Sequence, residues 1–341
     1  MADEGKIAPG VGLDIGTMNI VSARKTSKGT PIFHRIRDAF LDVEAGAEKS
    51  LKLSKASYGK LDEDTLVIIG DSALSMANLF KREARRPLSR GVISAGELDA
   101  QRILAMLLSQ VLSEKGKIAE GNGEHCYYSV PAAPIDDPEQ DVVYHTEIFR
   151  KILSELGYTP HPMNESMGII YSQCEEESFS GLAVSFGAGM CNIALAYQTV
   201  KGLDFSVARG GDWIDLHAAK ATGKTASQMC SIKEKGVDLV KPANREQEAV
   251  VLYIRSLIRY CLENIAVQFR KVQNTVSLPE PIPFVVSGGT SLAHGFLDVF
   301  KDEFAQISKK GFPIEISDIR MAHDPMTAVA AGMLVLASEE T

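Results

Sequence analysis

Cysteine is scarce in this chain and has no paired spacing. Five residues, Cys126, Cys174, Cys191, Cys230 and Cys261, are scattered through 341 positions. That pattern argues against a zinc site or a disulfide framework and predicts reduced thiols in a core. Basic residues are outnumbered, with 36 Lys and Arg against 44 Asp and Glu for a net charge of −8, and no long basic run occurs. Nucleic acid is therefore not expected as a main partner. No apolar run reaches the roughly eighteen residues that a membrane helix needs. The opening residues, Met1 to Lys6, have neither the apolar stretch of a secretion signal nor an apolar face, so a cytoplasmic protein is expected. What remains is ordinary for a globular protein: 45% of residues are apolar and 23% charged, on a length that suits two domains.

Two phrases stand out against this background. Gly12-Leu13-Asp14-Ile15-Gly16-Thr17-Met18-Asn19-Ile20 is an apolar strand that breaks at an acid-glycine-threonine turn and resumes as a second strand. Gly181 to Ala194 repeats the pattern, with Gly187-Ala188-Gly189 at the turn. Glycine at such turns admits backbone conformations that other residues resist and lets several N–H groups approach an anion. The chain reads as two halves, each opening with a phosphate loop, and two such loops facing each other would clamp the phosphates of a nucleotide.

Elsewhere strand, loop and helix alternate, which predicts an α/β protein of layered sheets and helices. A polar stretch from Pro31 to Asp64 reads as a small appended subdomain, with the main body resuming at Leu66-Val67-Ile68-Ile69. Helices are expected over Asp71–Phe80 and, from the spacing of Leu98, Ile103, Leu104, Leu107, Leu108, Val111 and Leu112, over 97–114. Pro138 is taken as the first turn of a helix that runs to Leu156 and stops before Gly157. Further helices are expected from Asn244 to about Val276, from Leu292 to Phe304, and from Pro325 to Ala337, the last small enough to pack closely on a sheet.

Alone, Asp14-Ile15-Gly16-Thr17 carries little, because an acid before glycine is common in surface turns. The order of motifs carries more. After the second hairpin phrase and Asn164-Glu165-Ser166 come Ser231-Ile232-Lys233-Glu234-Lys235, Ser287-Gly288-Gly289-Thr290 and Asp324-Pro325-Met326-Thr327-Ala328. In this succession the chain resembles the actin-like ATPase superfamily over nearly its whole length. Ile69-Gly70-Asp71-Ser72-Ala73 and Arg86 to Ile93 are most similar to the MreB and MamK branch, and the large insertions of sugar kinases and chaperones are missing.

The resemblance implies an actin-like two-domain fold, each domain a duplicated mixed β-sheet flanked by helices, with a nucleotide cleft between them. Domain I would be 1–160 and 325–341, with 31–64 a small subdomain; domain II would be 161–324, with about 200–275 a second one. It also implies ATP or ADP with Mg²⁺ as the ligand. Asp14 would hold the metal through water. Gly16, Thr17, Met18 and Asn19, and opposite them Ser185, Gly187, Ala188 and Gly189, would bind phosphate. Glu165 would orient or activate the attacking water. Gly211, Lys233, Glu234, Gly288, Gly289 and Thr290 would surround the nucleoside.

Two departures from the family pattern matter. Ser185 stands where the second loop normally begins with aspartate, and Asn192 occupies a further position that is often acidic. A serine can hydrogen-bond a water but adds no charge near the metal and cannot act as a base near neutral pH. Binding should survive better than hydrolysis, giving slow turnover carried by Glu165 and Asp14. The expected function is a filament-forming cytoskeletal ATPase whose main partner is itself, with possible accessory proteins. A non-polymerising nucleotide-gated scaffold of the same fold is the alternative, and a small-molecule kinase a weaker one. Direct membrane binding is not expected, since the loop 115–123 offers one isoleucine and no aromatic.

Overall fold

The computed structural model describes residues 7–80, 82–113, 120–276 and 278–340. Residues 1–6, the end of the helix expected over 97–114, and 115–119 of the loop considered for membrane contact lie outside these. The chain forms two compact units. One holds the chain up to Val130, Asp141–Pro162 and the end from Met333; the other holds Pro131–Gln140 and Met163–Gly332. The segment 131–140 belongs with the second unit.

In the first unit, β1 (Val11–Ile15) turns back as β2 (Asn19–Lys25), and β3 (Pro31–Arg37) continues the antiparallel meander. A separate three-stranded sheet holds β4 (Phe40–Glu44), β5 (Tyr58–Lys60) and β6 (Thr65–Ile69) in the order β4-β6-β5, with helices α1 (Glu48–Ser54) and α2 (Asp71–Phe80). After the short hairpin β7 (Leu88–Ser89) and β8 (Val92–Ile93) comes α3 (Ala100–Leu112). β9 (His125–Val130), α4 (Val142–Glu155) and β10 (Thr159–Asn164) complete the main sheet, whose order is β10-β9-β1-β2-β3.

Three expectations are corrected here. Pro31–Arg37 is not part of an appended subdomain but the outer strand of the main sheet, paired with β2 along its whole length. Its polarity is that of an edge strand with exposed residues. Conversely Thr65–Ile69 does not resume the main body; it is the middle strand of the small sheet. A short apolar run signals a buried strand without saying which sheet buries it. Helix α4 starts at Val142 and not at Pro138, because the Asp141 carboxylate accepts from the amides of Val143 (2.8 Å) and Tyr144 (3.1 Å) and so caps the helix there.

The second unit opens with α5 (Glu165–Gln173), β11 (Gly181–Phe186), β12 (Cys191–Tyr197) and β13 (Val200–Val207). Helices α6 (Gly211–Thr222), α7 (Ala226–Glu234) and the long α8 (Arg245–Val272) follow. β14 (Ile282–Ser287), α9 (Phe296–Ser308), β15 (Ile316–Met321) and α10 (Ala328–Glu339) close the chain. The sheet order, β13-β12-β11-β14-β15, repeats the antiparallel meander of three strands with a parallel neighbour on its first strand, as in the first unit. The core lies between this sheet and α8, whose buried stripe runs from Ala249 through Ile254, Ile258 and Ile265 to Phe269. Helix α9 starts later than the expected Leu292, since Gly289–Leu292 is a short 3₁₀ turn and Gly295 takes a left-handed φ of 80° before the helix. Helix α10 packs on a helix: a Cβ at Gly332 would fall 1.8 Å from the carbonyl oxygen of Gly168 on α5. The five cysteines are free, four of them buried.

His145 on α4 is fully buried beside Phe149, and neither ring nitrogen has a hydrogen-bond partner among the described residues. Burial pushes its pKa from 6.5 down to about 3, so the native chain keeps the ring neutral. The unfolded chain takes up the proton first, so this contribution to stability is full above pH 6.5 and is lost as the pH falls toward 3. His145→Leu removes an unsatisfied buried group and should raise stability by about 1 kcal/mol at neutral pH. It should also flatten the fall of the thermal midpoint on mild acidification, and an unchanged slope would contradict the assignment.

Candidate functional site

The β1–β2 hairpin closes with the Gly16 N–H donating to the Asn19 carbonyl at 3.0 Å, while Ile15 pairs with Ile20. The β11–β12 hairpin repeats this: the Gly187 N–H donates to the Met190 carbonyl at 3.1 Å, and Phe186 pairs with Cys191. At both turns the first glycine has no room for a side chain, since a Cβ would lie 2.9 Å from the Asn19 oxygen or 2.8 Å from the Met190 oxygen. The two loops are thus the same structure on matching strands of two sheets.

Their surroundings differ. In the first unit the Ile15 amide donates to Ser129 Oγ at 2.8 Å, so the Ser129 hydroxyl proton is directed onward to Asp14 Oδ1 at 2.9 Å. Burial pushes the Asp14 carboxyl up from 3.8 to about 6, against the pull of that hydrogen bond. Behind the turn, the Asp38 amide donates to the Met18 carbonyl (3.0 Å) and the Gly91 amide to Thr17 Oγ1 (3.1 Å). Asp38 is itself buried, its carboxyl raised well above the usual range by desolvation in spite of nearby Arg86.

In the second unit the turn is wrapped by backbone. The amides of Gly211 and Asp212, at the start of α6, donate to the carbonyls of Gly187 and Ala188 at 2.9 Å each. Gly210 approaches so closely that a Cβ would lie 2.5 Å from the Ala188 oxygen. Gly288, at a φ of 92°, would place a Cβ 2.5 Å from the Phe186 oxygen, so only glycine fits on both counts. Thr290 Oγ1 donates to the Gly187 carbonyl at 3.3 Å.

Ser185 and Asn192 are a directly opposed pair on β11 and β12, both buried. Asn192 Nδ2 donates to Glu165 Oε2 at 2.7 Å, and its Oδ1 accepts from the Ala132 amide at 3.3 Å and from Ser206 Oγ. Glu165 is the first residue of α5, whose cap is Asn164: Oδ1 accepts from the amides of Ser166 (2.9 Å) and Met167 (3.3 Å). Lys233 reaches back from α7 to the Gly211 carbonyl (2.8 Å) and to Asp215 Oδ2 (2.8 Å). Burial raises the Asp215 carboxyl and Lys233 pulls it back. Lys233 therefore sits beside Gly211 and Thr290: a Cβ at Gly211 would be 3.0 Å from both side chains. Glu234, next along, is exposed, and Gly289 lies beside Met326.

The sequence profile of the volactin family matches residues 10–337. The chain belongs to the volactin family. No curated protein matches it in sequence. Among solved structures this volactin-family chain is similar to a MamK double helical filament (18% identity, 96% of this chain and 98% of that one, TM-score 0.69). It is also similar to MreB5 of Spiroplasma citri bound to AMPPNP (15%, 97% and 96%, TM-score 0.65) and to the ethanolamine utilization protein EutJ of Carboxydothermus hydrogenoformans (15%, 98% and 95%, TM-score 0.54). The fold is actin-like, as the resemblance implied, and each main sheet has five strands.

Within the first unit of this volactin-family chain, Asp14, Gly16, Thr17, Met18 and Asn19 come together. In the second, Ser185, Gly187, Ala188 and Gly189 adjoin Gly211, Lys233, Gly288 and Thr290, and Glu165 joins them through Asn192. Sequence reasoning missed Ser129, Ser206 and Asp215, which act on these residues from distant strands or from the next turn of a helix. Only Asp215, one turn after Gly211, left a signal. Among the described residues no helix is long and apolar enough to cross a membrane, and no cluster of three metal-ligating side chains occurs.

Asp14 holds its proton longer in the native chain than in the unfolded one, so its effect on stability worsens as pH rises from 3.8 to about 6 and stays unfavourable above. Asp14→Asn keeps an acceptor for Ser129 without the charge. It should be more stable than the parent by about 1–2 kcal/mol at neutral pH, with the difference gone in acid. A thermal midpoint at neutral pH lower than the parent's would contradict this.

Proposed function

We propose that this chain binds ATP with magnesium through its two glycine hairpins, hydrolyses it slowly, and assembles with copies of itself into filaments. The observation that carries the reading is the repetition of one turn geometry on two equivalent sheets, each with the first glycine closed against its own hairpin. Membership in the volactin family, and likeness to a MamK filament and to an AMPPNP-bound MreB5, support it.

The residues fit the implied ligand. Asp14 is a single carboxyl in a site that resists ionisation, and a cation nearby would offset that cost. One carboxylate acting through water suits magnesium, which keeps much of its hydration shell. Bound there, magnesium would neutralise charge on the phosphates. Gly16, Thr17, Met18 and Asn19, with Gly187, Ala188 and Gly189, would present backbone amides. Gly288 and Gly289 would bring backbone flat against the base, with Gly211, Thr290 and the Asp215-anchored Lys233 alongside, and Glu234 toward the ribose.

Glu165 would orient the attacking water and accept its proton, an effect worth about 10²–10⁴ in rate. Ser185 contributes a hydroxyl where a carboxylate would add attraction for the metal, so turnover is slow. Assembly would be head to tail, a heterologous contact that propagates without closing.

Right-angle light scattering with Mg-ATP, Mg-ADP or no nucleotide, with negative-stain images of the same samples, tests assembly. ATP-dependent scattering with filaments is expected. Flat traces in a protein that demonstrably binds ATP would contradict polymerisation and favour a nucleotide-gated scaffold.

A further inference from the structure

Asn192 makes more contacts than a neutral replacement for an acid requires. Its Oδ1 faces the Ala132 amide, a group that can only donate, and the Ser206 hydroxyl lies on the same oxygen. That fixes the orientation of the side-chain amide, so the group facing Glu165 Oε2 at 2.7 Å is the NH₂. The main chain of the same residue is fastened too: Ser166 Oγ donates to the Asn192 carbonyl at 2.7 Å. Side chain and backbone of one buried strand residue thus staple the first two residues of α5.

From this geometry we propose that Asn192 is a positioning residue, which holds the Glu165 carboxylate through one oxygen, in one rotamer and as an acceptor. The inference rests on the reading of Glu165 as the water-activating group. It revises the view of Asn192 as a missing negative charge. A carboxylate at 192 would still accept from Ala132 and Ser206, and its second oxygen would meet Glu165 Oε2 at hydrogen-bond distance. Two carboxylates so placed cannot both ionise, and they share a proton. An acid here would neutralise Glu165 and add little for the metal. Next to Asn192 on β12, Cys191 feels Cys261 on α8, Glu165 itself and Asp136 in the 131–140 segment. Burial first, then Cys261, holds the Cys191 thiol well above its ordinary range, so it stays neutral.

The test uses the full chain with Asn192→Asp, Glu165→Gln and the two combined. Thermal midpoints are followed from mildly acidic to mildly alkaline pH, together with binding of a fluorescent ATP analogue and phosphate release. Asn192→Asp should lose stability as pH rises, because folding must then restore to the carboxyl pair a proton that the unfolded chain has already released, and its phosphate release should fall about 10²-fold at neutral pH. The double variant exchanges amide and carboxylate and restores one donor facing one acceptor between the two positions. Its midpoint and pH profile should return to those of the parent while phosphate release stays low. Nucleotide affinity should change less than about twofold throughout. A parent-like pH profile in Asn192→Asp, or a double variant no more stable than that single one, would overturn the proposal. Should Asn192→Asp fail to fold, the double variant decides alone. Failure of the parent chain to bind nucleotide would overturn the role given to Glu165 whatever the midpoints show.

Discussion

The second hairpin is held by backbone packed directly on backbone. Gly210 and Gly288 come in from the start of α6 and the end of β14, and at each of them a single Cβ would strike main-chain atoms at 2.5 Å. Because no side chain separates them, the α6 amides reach the turn carbonyls and Thr290 reaches Gly187. Gly211, Lys233 and Asp215 inherit their places from that contact. A cradle built of main chain changes little with rotamer choice, so the turn amides keep fixed directions.

The duplication of the two sheets makes their chemical difference legible. Counting back two residues from the first glycine gives Asp14 in one hairpin and Ser185 in the other. Each faces a serine on the parallel neighbour strand, Ser129 on β9 or Ser287 on β14. In the first unit that serine accepts from the Ile15 amide and donates its own hydroxyl proton to the carboxylate; in the second it donates to the Pro325 carbonyl at 3.2 Å. Charge is therefore concentrated on one loop. In the second unit the matching loop position is the neutral Ser185, and Glu165 accepts from Asn192.

Much of this was readable from the chain. Both glycine phrases, the stripe of α3 and the long pattern of α8 were visible because local spacing dictates them. The small sheet was harder, since Pro31–Arg37 and Thr65–Ile69 are each credible strands and only pairing assigns them to a sheet. Partner identities were hidden altogether. Asn192 lies 27 residues from Glu165 and Ser129 lies 115 from Asp14, and each pairing depends on strand register and crossover. Reading Asn192 as an absent acid compared residue types without knowing what stood beside it.

Amide hydrogen exchange of the whole chain with and without Mg-ATP tests most directly whether both hairpins serve one nucleotide. Slowed exchange at both 16–19 and 187–190, saturating at a single nucleotide per chain, is the predicted result. Protection confined to one hairpin, or none at either under conditions where nucleotide is bound, would contradict the account.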